Sequence, residues 1–167
     1  MVVLENKVEI DKKLFPVLKA VNDPEIPVSI IDMGMVREAV LEGDTAKVKI
    51  TPTYSGCPAT DMIAFDVKMA LEQAGYHPEV ESVIDPPWTT DWITEEGKKA
   101  LEDFGIVAPT DPTSDKKALM GEKHILKCLN CGSTHTEMVS QFGSTACKAS
   151  FKCLDCGEPF DYFKCLI

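Results

Sequence analysis

Cysteines are the residues of this 167-residue chain that are best suited to chemistry, and there are seven of them. Four form two Cys-x-x-Cys pairs, Cys128 with Cys131 and Cys153 with Cys156, separated by 21 residues. This spacing is typical of a zinc ribbon, in which four thiolates surround the ion and leave no open coordination position. A redox dithiol is the alternative, but duplication at ribbon spacing favours metal. The sequence therefore predicts a structural zinc site.

The surroundings of these pairs support that prediction. Gly132 and Gly157 each follow a pair, where a tight turn brings backbone close to sulfur and requires a residue that tolerates positive φ. A segment of about 45 residues buries too small a core to hold itself folded, so the metal would contribute folding free energy directly. Cys147 and Cys165 lie nearby without a defined role. Packing as apolar groups is the default prediction for both, with pairing under oxidation and binding of a second metal species left open.

Cys57 stands far from the other cysteines, in the stretch 52–61 where a strand pattern stops and a helical pattern begins. The first N–H groups of a helix are unpaired and its positive dipole end is exposed, so the sequence predicts a lowered pKa for this thiol. Pro58 fits the first helical position, because its missing N–H would have been unsatisfied there. Taken alone, Cys57 could equally be a small packing residue.

Two strands and a helix would position this thiol. Residues 35–41 alternate in polarity, residues 42–44 form a turn, and residues 46–51 alternate again, which predicts a hairpin. Apolar side chains at helical spacing then predict a helix that starts near Pro58 and stops at Gly75, followed by a strand at 80–84. The strand, helix and strand would form a right-handed parallel crossover, and ligand sites favour the carboxyl ends of such strands.

The other elements are shorter. Residues 11–21 predict a helix that Pro16 keeps short, and residues 22–27 an extended loop in which Asp23 and Glu25 are interpreted as solvated. The stretch 85–92, which holds both tryptophans, predicts a fixed loop with a packing role. The last helix of this region would begin after a Thr94 cap, place Leu101 and Phe104 on its apolar face and end at Gly105.

Composition limits the partners. The formal charge is −10, and residues 121–167 carry five acids and five bases, so the excess of acid lies entirely in residues 1–120. One arginine, Arg37, and no basic stripe exclude a nucleic-acid-binding class. Neither a run of about 18 apolar residues nor a signal-like start is present, which predicts a cytoplasmic protein without a membrane partner.

Three motifs carry a resemblance to a known family: residues 23–27 (Asp-Pro-Glu-Ile-Pro), 32–36 (Asp-Met-Gly-Met-Val) and 53–58 (Thr-Tyr-Ser-Gly-Cys-Pro). Together they resemble the small α/β domain of the metal–sulfur cluster assembly family, over roughly residues 10–105. We therefore expect a domain of this type at 1–108. Turn-forming and charged composition predicts a linker at 109–123, and the cysteine pairs predict a zinc ribbon at 124–167, so the expected fold class is α+β. The family's reactive cysteine corresponds to Cys57, with Glu25 and Thr51 as neighbours.

Motifs at residues 86–93, 142–149 and 158–165 extend the resemblance to the family of accessory components of the bacterial phenylacetyl-CoA epoxidase, a ring-oxygenase system of aerobic phenylacetate catabolism. The resemblance implies a non-catalytic maturation factor that helps a partner acquire iron. The reductase, with its iron–sulfur cluster, is the favoured client over the di-iron oxygenase subunit. A transient iron–sulfur cluster or iron would then be held at Cys57. Whether the chain forms a homodimer is not decided by the sequence.

Two other classes of function compete with this interpretation. An enzyme with Cys57 as nucleophile would need a base, and no histidine lies near it in sequence. A pure adaptor would dock components of the complex without transferring metal. None of the three histidines has convincing metal-ligand spacing: His77, His124 and His135.

Overall fold

The computed structural model of the protein describes residues 1–3, 8–54, 56–109 and 125–164. The chain divides into two compact units, residues 1–97 and residues 98–167, which are described separately below. Mixed sheets with few helices confirm the predicted α+β class. Most of the predicted linker, 110–123, lies outside the described residues, so the domain bounds at 108 and 124 stay a prediction. Among the described residues, no helix has the length and apolar character needed to cross a membrane.

The first unit is built on a five-stranded sheet in which the strands lie in chain order. Strands β1 and β2 are short, β2 runs parallel to β3, β3 and β4 form an antiparallel hairpin, and β5 returns parallel to β4. The strands of this sheet are β1 (Val2–Val3), β2 (Glu9–Ile10), β3 (Val36–Glu42), β4 (Thr45–Ile50) and β5 (His77–Ser82). The α-helices of the chain are α1 (Phe15–Lys19), α2 (Thr60–Gln73) and α3 (Glu95–Asp103), and the division between the units falls within α3.

The predicted hairpin is confirmed, with one difference in its first strand. In β4 the alternating side chains Ala46, Val48 and Ile50 are buried, as the period of two predicts. In β3 the register shifts between Val36 and Glu38, a β-bulge that adds a residue on one strand. Strict alternation is therefore wrong for β3, where Val36 and Ala39 are both buried.

The crossover from β4 through α2 to β5 is also present, with shifted ends. Helix α2 begins at Thr60 with Ala59 as its cap residue, so Pro58 lies before the helix and the prediction that it takes the first helical position is wrong. Gly75, with φ of 88°, ends it as predicted. Strand β5 begins at His77 rather than Val80 and runs parallel to β4 along its whole length. The described residues between β4 and α2, 51–54 and 56–59, therefore lie at the carboxyl end of β4.

The Asp-Met-Gly motif, residues 32–34, packs against the loop that contains the two tryptophans. The Met33 carbonyl oxygen accepts a hydrogen bond of 2.8 Å from Trp88 Nε1, and Trp88 is buried, which confirms its predicted packing role. Gly34 has φ of 67°, and a Cβ built there would lie 2.4 Å from the carbonyl oxygen of Trp92. The ring of Trp92 in turn stacks under the guanidinium of Arg37, 3.6 Å from its centre. Residues 32–36 therefore fix the 85–92 loop across the first unit.

We expect Gly34→Ala to destabilise the protein by about 3 kcal/mol, because it combines left-handed backbone strain with a backbone clash. Gly43→Ala is the matched control. Gly43 also has a positive φ, of 61°, but nothing lies within 4 Å of the added Cβ, so only strain of about 1 kcal/mol is expected. Urea unfolding of both variants measures the difference. Equal losses would show that the contact with Trp92 is not the constraint.

Helix α3 begins as predicted. The Gly97 N–H donates to Thr94 Oγ1 at 3.1 Å, and the same hydroxyl lies 3.2 Å from Asp32 Oδ1. Leu101 is buried, but Phe104 is 54% exposed, because the helix ends at Asp103 before that side chain can join its apolar face. The prediction for Phe104 is therefore wrong.

The second unit contains a four-stranded sheet of order β6-β9-β8-β7. Strands β7, β8 and β9 pair antiparallel, whereas β6 runs parallel to β9. The strands are β6 (Ile106–Val107), β7 (Thr136–Ser140), β8 (Lys148–Cys153) and β9 (Pro159–Phe163). Its core is a small buried cluster in which Phe151 packs against Phe160 and Tyr162. Two cysteines, Cys128 and Cys153, belong to that same cluster.

Candidate functional site

The two Cys-x-x-Cys-Gly turns have the same backbone structure. In the first, the Gly132 N–H donates to the Cys128 carbonyl at 2.9 Å, and the Cys128 N–H donates to the Ser133 carbonyl at 2.8 Å. The second turn repeats the pattern, with 3.0 Å from the Gly157 N–H to the Cys153 carbonyl. The φ angles of the two glycines are 75° and 77°, the left-handed conformation that their predicted role requires. Each turn therefore presents both of its sulfurs to one side.

The four cysteine sulfur atoms lie close together. The Sγ atoms of the two pairs all lie within 4.8 Å of one another, with Cys128 to Cys156 at 3.7 Å and Cys131 to Cys153 at 3.5 Å. A tetrahedral ion with sulfur ligands at about 2.3 Å requires sulfurs about 3.8 Å apart, so the residues fit such an ion. Cys128 and Cys153 are buried, and the other two are exposed. The arrangement can bind one metal ion with four thiolates.

The acidities of the thiols follow from their hydrogen bonds. The N–H groups of Cys156 and Asp155 lower the pKa of Cys153 to about 7, despite the opposing effect of burial. Cys131 accepts a hydrogen bond from the Ser133 N–H, which lowers its pKa, but the neighbouring thiols raise it by more, to about 12. Of these two thiols Cys153 therefore ionises more readily, and a bound cation would have to displace the proton of Cys131.

Side-chain hydrogen bonds join the two turns, and they were not predicted from the sequence. The Ser133 hydroxyl donates to Asp155 Oδ2 at 2.5 Å, and His135 Nδ1 lies 2.9 Å from Asp155 Oδ1. The Ser133 hydrogen bond, followed by His135, lowers the pKa of Asp155. Ser133 follows the first turn and Asp155 lies in the second. His135 is thus outside the sulfur cluster, in agreement with its spacing, and supports the second turn instead.

Cys57 lies in the loop between β4 and α2, half-buried, with its N–H bonded to the Tyr54 carbonyl at 3.2 Å. Burial raises the pKa of its thiol, and the negative charges of Asp23 and Glu25 raise it further. Hydrogen bonds from the Ala59 N–H and the Thr60 hydroxyl oppose these effects without cancelling them. The predicted lowering of this pKa is therefore wrong. The helix begins three residues later than the thiol, and two carboxylates from another loop lie near it.

The loop at residues 22–27, which contains both carboxylates, is stabilised by hydrogen bonds to Asp23. Asp23 is only 8% exposed, and its Oδ1 accepts hydrogen bonds from the N–H groups of Glu25 at 2.8 Å and Ile26 at 3.1 Å. The interpretation of Asp23 as a solvated residue is therefore wrong, because it caps the turn that positions Glu25. Glu25 is half-buried.

Thr51 is the first residue after β4 and is 1% exposed. Its N–H donates to the Met35 carbonyl at 2.8 Å, but its hydroxyl oxygen finds no hydrogen-bond partner among the described residues. A buried hydroxyl without a partner costs about 1–3 kcal/mol. Thr51 thus places a buried hydroxyl without a partner among the described residues at the base of the Cys57 loop.

Of the two cysteines without a defined role, Cys147 is buried, with its Sγ 3.1 Å from Thr145 Oγ1, as the packing prediction expects. Cys165 lies outside the described residues, as do Ser55 and His124.

Comparison with known proteins agrees with both units. Residues 11–84 match the model of a family described as iron-sulfur cluster assembly protein, and residues 112–164 match that of the PaaD zinc beta ribbon domain. A crystal structure of a domain of unknown function, DUF59, from Bacillus anthracis aligns with a TM-score of 0.51 and 34% identity, over 53% of this chain and 88% of that one.

Two curated relatives extend the comparison. A component of the "Putative 1,2-phenylacetyl-CoA epoxidase" of Escherichia coli (strain K12) is 41% identical over 92% of both chains. An "Fe-S protein maturation auxiliary factor" of Porphyromonas gingivalis is 31% identical over 54% of this chain and 90% of its own. The fold and site thus define a two-part protein, an iron–sulfur assembly domain followed by a four-cysteine ribbon. The chain belongs to the PaaD family of phenylacetyl-CoA epoxidase components.

Proposed function

We propose that this protein is an accessory maturation factor of the bacterial phenylacetyl-CoA epoxidase system. In this proposal Cys57, with Glu25 and Thr51 as neighbours, transiently holds iron or an iron–sulfur cluster for a partner subunit. The reductase is the client, because the relatives named as maturation factors are named for iron–sulfur proteins. The four-cysteine ribbon holds a structural zinc ion and docks that client.

The observation that carries the proposal is the electrostatic setting of Cys57. Burial is the largest cause of the raised pKa of this thiol, and the negative charges of Asp23 and Glu25 raise it further, so both oppose the thiolate that a nucleophile needs. The same carboxylates attract a cation. When Fe²⁺ binds, its charge offsets Asp23 and Glu25, the Sγ–H bond breaks, the proton leaves to solvent and an Sγ–Fe bond forms. The setting therefore favours metal holding over covalent catalysis.

Thr51 supplies the second support. A hydroxyl oxygen can accept from a ligand or its bound water, and this one has no partner among the described residues. A site that holds cargo for part of the time accounts for such a group, because its hydrogen-bond partner arrives with the cargo.

We expect Thr51→Val to weaken iron loading while the stability of the protein is unchanged or higher by about 1 kcal/mol, because valine has the same shape without an unpaired hydroxyl. Loading is measured by anaerobic reconstitution with ferrous iron and sulfide, followed by iron and sulfide analysis. Thr53→Val is the control, since Thr53 is also buried but its hydroxyl is not one of the unpaired groups among the described residues. Equal loading by both variants and the wild type would remove Thr51 from the site.

The same reconstitution tests the proposed function as a whole. Wild-type protein should gain iron beyond the four-cysteine site, and that gain should disappear when Cys57 is replaced by serine. If wild-type protein gains none, the metal-holding role is excluded, and an adaptor that only docks components takes its place.

A further inference from the structure

Helix α2 has two apolar faces. Ile63, Val67 and Leu71 are fully buried against the first unit. A second stripe of large apolar side chains lies on the opposite side of the helix, at spacings of three and four residues, which a helix aligns along one line. We call it the α2 outer stripe: Met62, 53% exposed, Phe65, 57% exposed, and Met69, 37% exposed.

The exposure of this apolar stripe to water indicates that it is a binding surface. Scattered exposed apolar residues are ordinary, but an aligned stripe of three large ones on a single helix is typical of a binding face. Methionine is flexible and polarisable, and it suits surfaces that must adapt to a partner. An amphipathic helix in water normally places polar residues opposite its buried face, and α2 does not.

The charges beside the stripe define what would bind. By the helical repeat, Asp61 and Glu72 lie along one flank together with Lys68, the one base within α2, and Asp66 lies along the other. The stripe is thus an apolar line between two flanks whose summed charge is negative, with three acids and one base. A complementary surface has an apolar line between cations, which in a helix means leucine-like residues flanked by lysine or arginine.

We propose that the α2 outer stripe docks an amphipathic basic helix of a partner protein. A second copy of this chain does not fit, because a twofold contact through this stripe would place the same carboxylates against one another. The inference rests on the proposed function and deepens it, because it adds a contact of the client besides the one proposed for the ribbon: α2 begins three residues after Cys57, so a client helix bound along α2 would start near the thiol that holds its iron.

The test uses the full-length protein and a fluorescent 20-residue helical peptide with leucine along one face and lysine on both flanks. Anisotropy titration gives the Kd. Met62→Gln, Phe65→Gln and Met69→Gln together should weaken binding at least about tenfold, because the apolar contact is lost. Met138→Gln with Val139→Gln is the matched control, since these residues are 44% and 64% exposed in the other unit. It should bind as the wild type does.

The flanking carboxylates are tested by a second set of variants. Asp61→Asn, Asp66→Asn and Glu72→Gln together should weaken binding about fivefold at low salt, and the difference should shrink in 0.5 M NaCl. A peptide with glutamate in place of lysine should not bind. Phe65→Lys, a single outward change, repeats the test if the triple variant is poorly folded.

Three results would overturn the inference. The first is that the wild type does not bind the lysine peptide, and the second is that the stripe variant binds it as tightly as the wild type does. The third is that the wild type forms a dimer in sedimentation velocity and the stripe variant does not, which would identify a second copy of the chain as the occupant. The stripe variants should still gain iron in the anaerobic reconstitution. If peptide binding holds while wild-type iron loading fails, the docking surface stands and the proposed function does not.

Discussion

A variant carrying Cys128→Ser and Cys153→Ser is expected to lose its metal and, with it, the fold of the described ribbon residues 125–164. Both residues belong to the eight-residue buried cluster of the second unit, so the predicted metal site and the core share two residues. A structural zinc ion contributes on the order of 10 kcal/mol to the folding of such small segments, more than their cores can replace. We therefore expect unfolding of this unit and not merely a lower melting temperature.

Elemental analysis and amide hydrogen exchange measure this result. Wild-type protein should carry one zinc per chain, with iron as a substitute on overexpression, and strands β7 to β9 should be protected from exchange. Strong chelation or acid should reproduce the loss, because protons compete with the metal for the thiolates. Cys147→Ser, at a buried cysteine outside the sulfur cluster, is the control and should keep its zinc. Retention of zinc by the double variant would remove these cysteines as the ligands.

The second large effect is expected in cells. Cys57→Ser should abolish growth on phenylacetate of a host that lacks this protein, and the iron content of the client reductase should fall with it. A serine hydroxyl is not deprotonated by iron binding as readily as a thiol is, so in the proposed function the variant would lack the ligand that holds the iron or cluster. The purified variant should keep its zinc and stay within about 1 kcal/mol of wild-type stability, because the side chain is half-buried in a loop.

A further variant and a second measurement separate transfer from docking. Glu25→Gln keeps the shape of a neighbouring side chain and removes its charge, so it should give an intermediate growth defect. Iron in the di-iron oxygenase subunit, measured in the same cells, identifies the client, and a deficit confined to that subunit would exclude the reductase. Normal growth and normal client iron with Cys57→Ser would leave the protein as an adaptor.

The sequence predicted those features that depend on local spacing. The alternation of β4, the buried face of α2 and the glycine that ends it all follow from periodicity and backbone preference, and the structure confirms them. The four ribbon cysteines could be grouped because two turns of five residues carry the whole ligand geometry. Each turn also forms its own backbone hydrogen bonds.

Features that depend on distant parts of the chain could not be predicted in this way. The predicted direction of the Cys57 pKa shift was wrong because the prediction considered only the helix N-terminus next to the thiol. The burial of the thiol and the charges of Asp23 and Glu25 depend on the tertiary fold. Strand β6 has two residues and no periodicity, and it is a strand only because β9 lies beside it. The bulge in β3 likewise arises from pairing and has no signal in composition.

The placement of the two tryptophans has an optical consequence. Trp88 is buried with its indole N–H bonded to Met33, and Trp92 lies beneath the Arg37 guanidinium; both belong to the first unit. The chain has no other tryptophan, so intrinsic fluorescence excited at the red edge of its absorption comes from that unit alone. A denaturation curve recorded at those wavelengths is therefore a curve for the first unit, because the four-cysteine ribbon has no tryptophan.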